Sequence, residues 1–365
     1  MTAKPISELP DPFRFAGGSR VRTPEEWKRR RRELLDQILD IEYGRLPPVP
    51  ARTEGIPLSL HVVKYLGDAR HEQYRLTTGP SPSISFVLNL LIPKGDGPFP
   101  VILRGDGCWR DAREGIASEV LKRGYILAEF NRTEIVPDRV ESVRRTGLRL
   151  VCPDGDYGAL AAWAWGFHRC VDFLVTLEQV DAAHIAVTGH SRGGKTALLA
   201  GATDERIALT APNNSGCGGA GCFRWPGPKC ETMGVIVDKM GFWFSPRLKE
   251  FVGREAELLF DQHSLKALVA PRALLSTEAL GDLWANPSGT WQSHLAAREA
   301  YRFLSVGEKI GIWYREGGHE HGLADWQALL DFADWQFRGK RPATRFDINP
   351  FPNLPPAFSW SAPVR

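Results

Sequence analysis

The chain has 365 residues, 43% of them hydrophobic, and its 46 basic and 43 acidic residues give a formal net charge of +3. That much apolar material can bury one large core or two modest ones, which excludes a disordered chain. Charges so nearly balanced and spread along the chain exclude the global field that draws nucleic acid or a membrane surface, and no stretch reaches the roughly 18 apolar residues of a spanning helix.

Residues 1–50 read as an N-terminal helical arm. Met1 to Phe13 lacks a basic start followed by an apolar run, so a soluble cytoplasmic chain is expected. Thr23-Pro24-Glu25-Glu26-Trp27 supplies an N-cap, a proline at N1 and a capping glutamate at N3. The helix it opens carries Lys28 to Arg32, read as a solvated face rather than a binding patch. After Pro47, Pro48 and Pro50 a catalytic domain is expected over 51–345. In it, Ile84 to Pro93 and Pro100 to Leu103 read as a strand pair joined by Lys94-Gly95-Asp96-Gly97, and Tyr125 to Phe130 as a strand after a helix from Arg113 to Arg123. Leu160 to Leu177 reads as a helix, Ile185 to Thr188 as a short buried strand and Lys195 to Ala202 as the next helix. An insertion is expected at about 216–258, strands at Ala273 to Thr277 and Lys309 to Tyr314, a closing helix at Ala324 to Phe337, and a C-terminal tail over 346–365. Alternation of this kind predicts an α/β chain: an α/β-hydrolase fold, a three-layer sandwich with a mostly parallel central sheet. Six irregularly spaced cysteines make neither a metal pattern nor a dense disulfide framework, so reduced thiols are expected; Cys217 and Cys222 could pair locally.

The strongest motif is Ile185-Ala186-Val187-Thr188 running into Gly189-His190-Ser191-Arg192-Gly193 and then a helix. This is the G-x-S-x-G elbow, a sharp turn that holds Ser191 up as a nucleophile and aims the Arg192 N–H at a developing oxyanion. The same residues match a Walker A loop, Gly189-x-x-x-x-Gly194-Lys195-Thr196. A P-loop follows the first strand of its domain, whereas several candidate strands precede this one, so the nucleotide hydrolase is kept only as a remote alternative.

Serine needs an imidazole to take its proton, and this fold supplies the partners in the order Ser, acid, His. Glu316-Gly317-Gly318-His319-Glu320-His321-Gly322 lies between the last strand and the closing helix. His319 is preferred to His321 because the glycine pair can bring it over the elbow. The acid is expected in the loop after Ala273 to Thr277, at Asp282, with Glu278 as the fallback. His-Glu-His lacks further ligands nearby, so no metal and no cofactor are expected.

With these residues in place the sequence resembles the glucuronoyl esterases, carbohydrate esterases that cleave the ester between 4-O-methyl-glucuronic acid on xylan and lignin alcohols. The likeness is carried by Gly189 to Lys195, by Ser215-Gly216-Cys217-Gly218-Gly219-Ala220-Gly221-Cys222-Phe223-Arg224, by Asp261-Gln262-His263 with Ala270-Pro271-Arg272, and by Asp282-Leu283-Trp284. The resemblance implies that Arg192 binds the oxyanion through its side chain, that Lys195 contacts uronate hydroxyls, and that Trp284 and Arg224 belong to the substrate site. Where fungal members carry their acid, this chain has Asn214, which cannot be the charged partner of a histidine. The partner expected is a small-molecule or oligosaccharide ester, with no nucleic acid and no membrane, acted on by a monomer. Acetyl esters of xylan or another carboxylic ester are the alternative substrates.

Overall fold

The computed structural model describes residues 5–79, 83–109, 112–140 and 146–364. Its strands are β1 (Thr53–Val63), β2 (Ala69–Thr78), β3 (Ile84–Ile92), β4 (Phe99–Arg104), β5 (Ile126–Phe130), β6 (Val180–His190), β7 (Leu209–Asn213), β8 (Ala273–Ala279) and β9 (Ile310–Arg315). In the central strands both side-chain sets are apolar, as a sheet covered on both faces requires. Val101, Leu103, Ile126, Ala128, Ile185 and Val187 enter one core, while Ile102, Leu127 and Ala186, one residue out of phase, enter the other. Helices Pro24–Ile38, Ala159–Leu174 and Arg192–Thr203 close the first core, and Glu114–Lys122 with Leu323–Arg338 closes the second. The three-layer α/β-hydrolase architecture expected from the sequence is therefore present.

Among the described residues the sheet has nine strands in the order β1-β2-β3-β5-β4-β6-β7-β8-β9. From β5 to β9 all neighbours run parallel, and β1 to β3 form an antiparallel extension joined through β3 and β5. The expected β3–β4 pair is a correction: β5 lies between them, because the crossover helix Glu114–Lys122 carries the chain to the far side of β4. The edge strand β1 contains Pro57 and a register shift between Pro57 and Ser59.

The arm is part of the main core through Phe13, Trp27, Leu34, Ile38 and Tyr43. Its helix starts as expected, with Thr23 Oγ1 accepting from the Glu26 N–H at 3.2 Å. The basic run is not simply solvated. Arg30 is buried and donates to the Pro12 carbonyl at 3.1 Å, and Arg31 donates to the Leu268 carbonyl at 2.8 Å. The tail also packs inward: Phe346 joins the second core, and the Trp360 indole N–H donates to the Leu9 carbonyl at 2.7 Å.

Candidate active site

β6 ends in the elbow. Ser191 sits at φ 55° and ψ −122°, a left-handed conformation that is costly for any residue with a Cβ. Its N–H donates to the Asn213 carbonyl at 2.9 Å, which holds the turn onto β7. The flanking glycines are steric necessities. A Cβ on Gly189 would lie 2.3 Å from the Gly193 carbonyl oxygen, and one on Gly193 would lie 2.0 Å from Asp106 Oδ1. Asp106, buried in the loop after β4, accepts the His190 N–H at 2.8 Å and is paired with fully buried Arg132.

The histidine loop follows β9. His319 Nδ1 lies 2.5 Å from Asp282 Oδ2; the carboxylate side chain is 3% exposed and the imidazole 40%. The His319 ring also lies against His190, the neighbour of Ser191, with centroids 4.5 Å apart, so the loop closes over the elbow. Arg315 organises that loop: its guanidinium donates to the Glu320 carbonyl at 2.6 Å and to both Asp325 oxygens at 2.9 Å. Asn214, at the position where an acid was excluded, binds the same loop from β7: its Nδ2 donates to the Glu320 carbonyl at 3.0 Å, and its Oδ1 accepts the Ala279 N–H at 2.8 Å. His321 stacks on Trp326 at 5.1 Å.

Glu278, the fallback acid, makes no hydrogen bond to His319. It is fully buried, neither carboxyl oxygen has a hydrogen-bond partner among the described residues, and burial pushes its pKa well above the usual carboxylate range. Burial likewise pulls its charge partner Lys266 down to about 7.

Arg192 is held beside the elbow. Its Nη1 donates to Asp138 Oδ2 at 2.7 Å, its guanidinium lies 4.8 Å from the Trp243 ring centroid, and the Trp243 indole N–H donates to Asp138 Oδ1 at 2.8 Å. Its Nε has no partner among the described residues. Lys195 is 4% exposed, with Nζ donating to the carbonyls of Ser215 at 2.7 Å and Cys217 at 2.5 Å and lying 3.3 Å from a Glu231 carboxylate oxygen. Pinned in this way to the Gly-rich loop, the ammonium does not stand free to cradle phosphates, which removes the Walker A reading. The Glu231 N–H donates to the Trp284 carbonyl at 3.0 Å, and the Trp284 indole is 45% exposed. Lys195, Glu231 and Trp284 therefore adjoin.

Arg224 is a correction. It is 2% exposed, and its guanidinium reaches Asp261 at 3.4 Å, the Phe260 carbonyl at 2.8 Å and the Leu258 carbonyl, so it braces the insertion from within and is not brought to the site. Asp106, Asp138, Glu231 and Trp243 went unread, because each reaches the elbow from a distant segment. One signal was available for Asp106: it follows directly on a strand whose C-terminal end, in an open α/β sheet, faces the ligand crevice. All six cysteines are free, and among the described residues no helix is long and apolar enough to cross a membrane.

A family model described as glucuronyl esterase of fungi matches residues 77–305. A 4-O-methyl-glucuronoyl methylesterase of Podospora anserina is 34% identical over 86% of this chain, which spans 64% of that protein's length. Among solved structures, a carbohydrate esterase family 15 glucuronoyl esterase from Caldicellulosiruptor kristjansonii superposes with a TM-score of 0.85 at 32% identity, over 99% of this chain and 98% of its own. A serine-to-alanine mutant of the glucuronoyl esterase of Sporotrichum thermophile, in complex with methyl 4-O-methyl-β-D-glucopyranuronate, superposes with a TM-score of 0.77 at 29% identity, over 95% of this chain and 93% of its own.

Proposed function

This chain belongs to the glucuronoyl esterase family, and from that membership we propose that it is a serine esterase that hydrolyses an ester of 4-O-methyl-glucuronic acid with an alcohol. The observation that carries the reading is the 2.5 Å contact between His319 and Asp282, closed over a strained Ser191. In the mechanism, Ser191 Oγ attacks the ester carbonyl as His319 Nε2 takes its proton. Asp282 keeps the proton of His319 on Nδ1 and offsets the imidazolium charge. The oxyanion forms beside Arg192, whose backbone N–H is the donor offered to it and whose guanidinium, held on Asp138, adds positive charge. His319 then returns the proton to the departing alcohol, and water releases the uronate from Ser191 by the same steps in reverse. Trp284 offers a face to the sugar ring, and the Lys195–Glu231 pair a polar wall for its hydroxyls.

Six unpaired cysteines support a reducing, cytoplasmic place of work. Pro57 and the bulge in the edge strand support a monomer, because both obstruct pairing with a second β1. The test compares hydrolysis of benzyl glucuronate, methyl glucuronate, acetylated xylan and p-nitrophenyl acetate by the wild type and Ser191→Ala. Glucuronate esters should be preferred, and the variant should retain less than about one thousandth of the activity. A preference for acetylated xylan, or activity that survives the substitution, would refute the proposal.

A further inference from the structure

The ring of His190 has no part in the mechanism above, yet it is held on several sides. Its Nδ1 lies 2.6 Å from Asn213 Oδ1, and that amide is oriented by its Nδ2 donating to Thr277 Oγ1 at 2.9 Å. An amide oxygen only accepts, so His190 Nδ1 is the donor. The backbone N–H of His190 is anchored on Asp106. The ring lies 4.5 Å from His319 at an interplanar angle of 45° and 6.1 Å from His321 at 25°, and His321 lies 5.1 Å from Trp326 at 23°. Four rings thus form a row that ends at the general base. Burial, opposed by the Asn213 hydrogen bond, lowers the pKa of His190; burial and then the facing His190 lower that of His321.

His319 needs such a support. It follows Gly317, at φ 99°, and Gly318, and its side chain is 40% exposed. The Asp282 bond fixes one ring atom and leaves the imidazole free to swing about that contact. A second ring packed 4.5 Å from it, tilted by 45°, restricts the swing.

We propose that His190 is a positioning residue: its ring sets the plane of the His319 imidazole, so that Nε2 addresses Ser191 while Nδ1 remains on Asp282. The assignment rests on the Ser191, His319 and Asp282 reading. Aromatic pairs contribute about 0.5–1.5 kcal/mol beyond their buried area, enough to hold a ring that a single bond leaves loose.

Three substitutions separate the ring from the hydrogen bond. His190→Phe keeps a ring and loses Nδ1, His190→Asn keeps an N–H for Asn213 and loses the ring, and His190→Ala loses both. p-Nitrophenyl acetate is the substrate, because it needs the nucleophile and base but no uronate contacts. The kcat of the Asn and Ala variants should fall about 10-fold or more with KM within about twofold, while His190→Phe should stay within about threefold of wild type. A role confined to bracing Asn213 predicts the opposite order; that order, or equal kcat in all three, overturns the proposal. Melting temperatures check folding. Should the His190 variants not fold, His321→Phe and His321→Ala make the same comparison one ring further back: Phe should match wild type and Ala should lower kcat about threefold, and equal values overturn the proposal. A wild-type protein that neither hydrolyses the acetate nor reacts with a fluorophosphonate at Ser191 would overturn the esterase reading and this proposal with it. An active wild type with the reversed order overturns this proposal alone.

Discussion

Asp282→Asn keeps the shape of the side chain and removes its charge. Two unit charges about 4 Å apart interact by about 4 kcal/mol at an effective dielectric constant near 20. The carboxylate here is 3% exposed but the imidazole is 40% exposed, so water screens part of that attraction and about 3 kcal/mol remains. At about 1.4 kcal/mol per tenfold, this is about two powers of ten in rate. The amide adds to the loss, because its N–H, turned toward Nδ1, favours the tautomer whose Nε2 cannot accept the Ser191 proton; the same exchange in a serine protease costs about 10⁴. The expected result is a kcat on benzyl glucuronate at least about 100-fold below wild type, with KM little changed because the charge arises only in the transition state. Glu278→Gln, measured beside it, should cost less than about 10-fold, since its carboxyl is fully buried and makes no hydrogen bond to His319. If Glu278→Gln proved the more damaging, or Asp282→Asn cost less than about 10-fold, the assignment of the acid would be wrong.

Arg192→Ala should lower kcat more than it raises KM, and Asp138→Asn, which frees the guanidinium from its 2.7 Å anchor, should do the same to a smaller extent; steady-state kinetics that move only KM would remove Arg192 from the oxyanion site. Lys195→Ala should impair p-nitrophenyl acetate hydrolysis as well as that of uronate esters, because the ammonium holds the Ser215 and Cys217 carbonyls of the loop beside the elbow; a loss confined to uronate esters would mean that it serves the sugar alone. Stability should fall in acid. Burial lowers His168 from 6.5 to about 4 and His263 from 6.5 to about 3, so between pH 6.5 and those values the unfolded chain holds more protons and folding weakens as the pH drops, by about 3 kcal/mol for each histidine by pH 4. His294 and His321, also lowered by burial, act in the same sense; Glu42, raised by burial from 4.5 to about 8, and Glu278, also raised by burial, act in the opposite sense above pH 4.5 and drop out below it. Thermal melts from pH 7 to pH 4 should show the decline, and His168→Gln, which keeps a donor for the Ala200 carbonyl, should flatten it; parallel curves would refute the assignment.

The elbow, His319 and Asp282 were legible in the sequence because each is announced locally, by a strand running into glycines or by a carboxylate in the loop after a strand. The central strands were legible for the same reason: Val101 to Leu103 and Ile185 to Val187 are apolar on both faces. β1 and β2 were not, since β1 is largely exposed and Ala69-Arg70-His71-Glu72-Gln73 of β2 is mostly polar and in part only half-buried, so neither carries a continuous apolar run. β7 was missed because Leu209-Thr210-Ala211-Pro212-Asn213 is short and holds a proline, which only its register against β6 and β8 makes a strand. Contacts that join distant segments, such as Asp138 to Arg192 and Arg224 to Asp261, have no local signature, and for Arg224 the family likeness suggested a substrate contact where packing required a brace.

Arg315 has a consequence for how the protein fails under heat. The segment that bears His319 is tied to the end of β7 through Asn214, to the turn beyond β8 through Asp282, and to the closing helix through the grip of Arg315 on Asp325. A loop fastened to three elements has no cheap local opening, so it lacks the low-energy fluctuation by which many surface loops melt ahead of their domain. Catalysis should therefore survive up to the global transition and vanish with it, so that the temperature of half-inactivation coincides with the midpoint of unfolding.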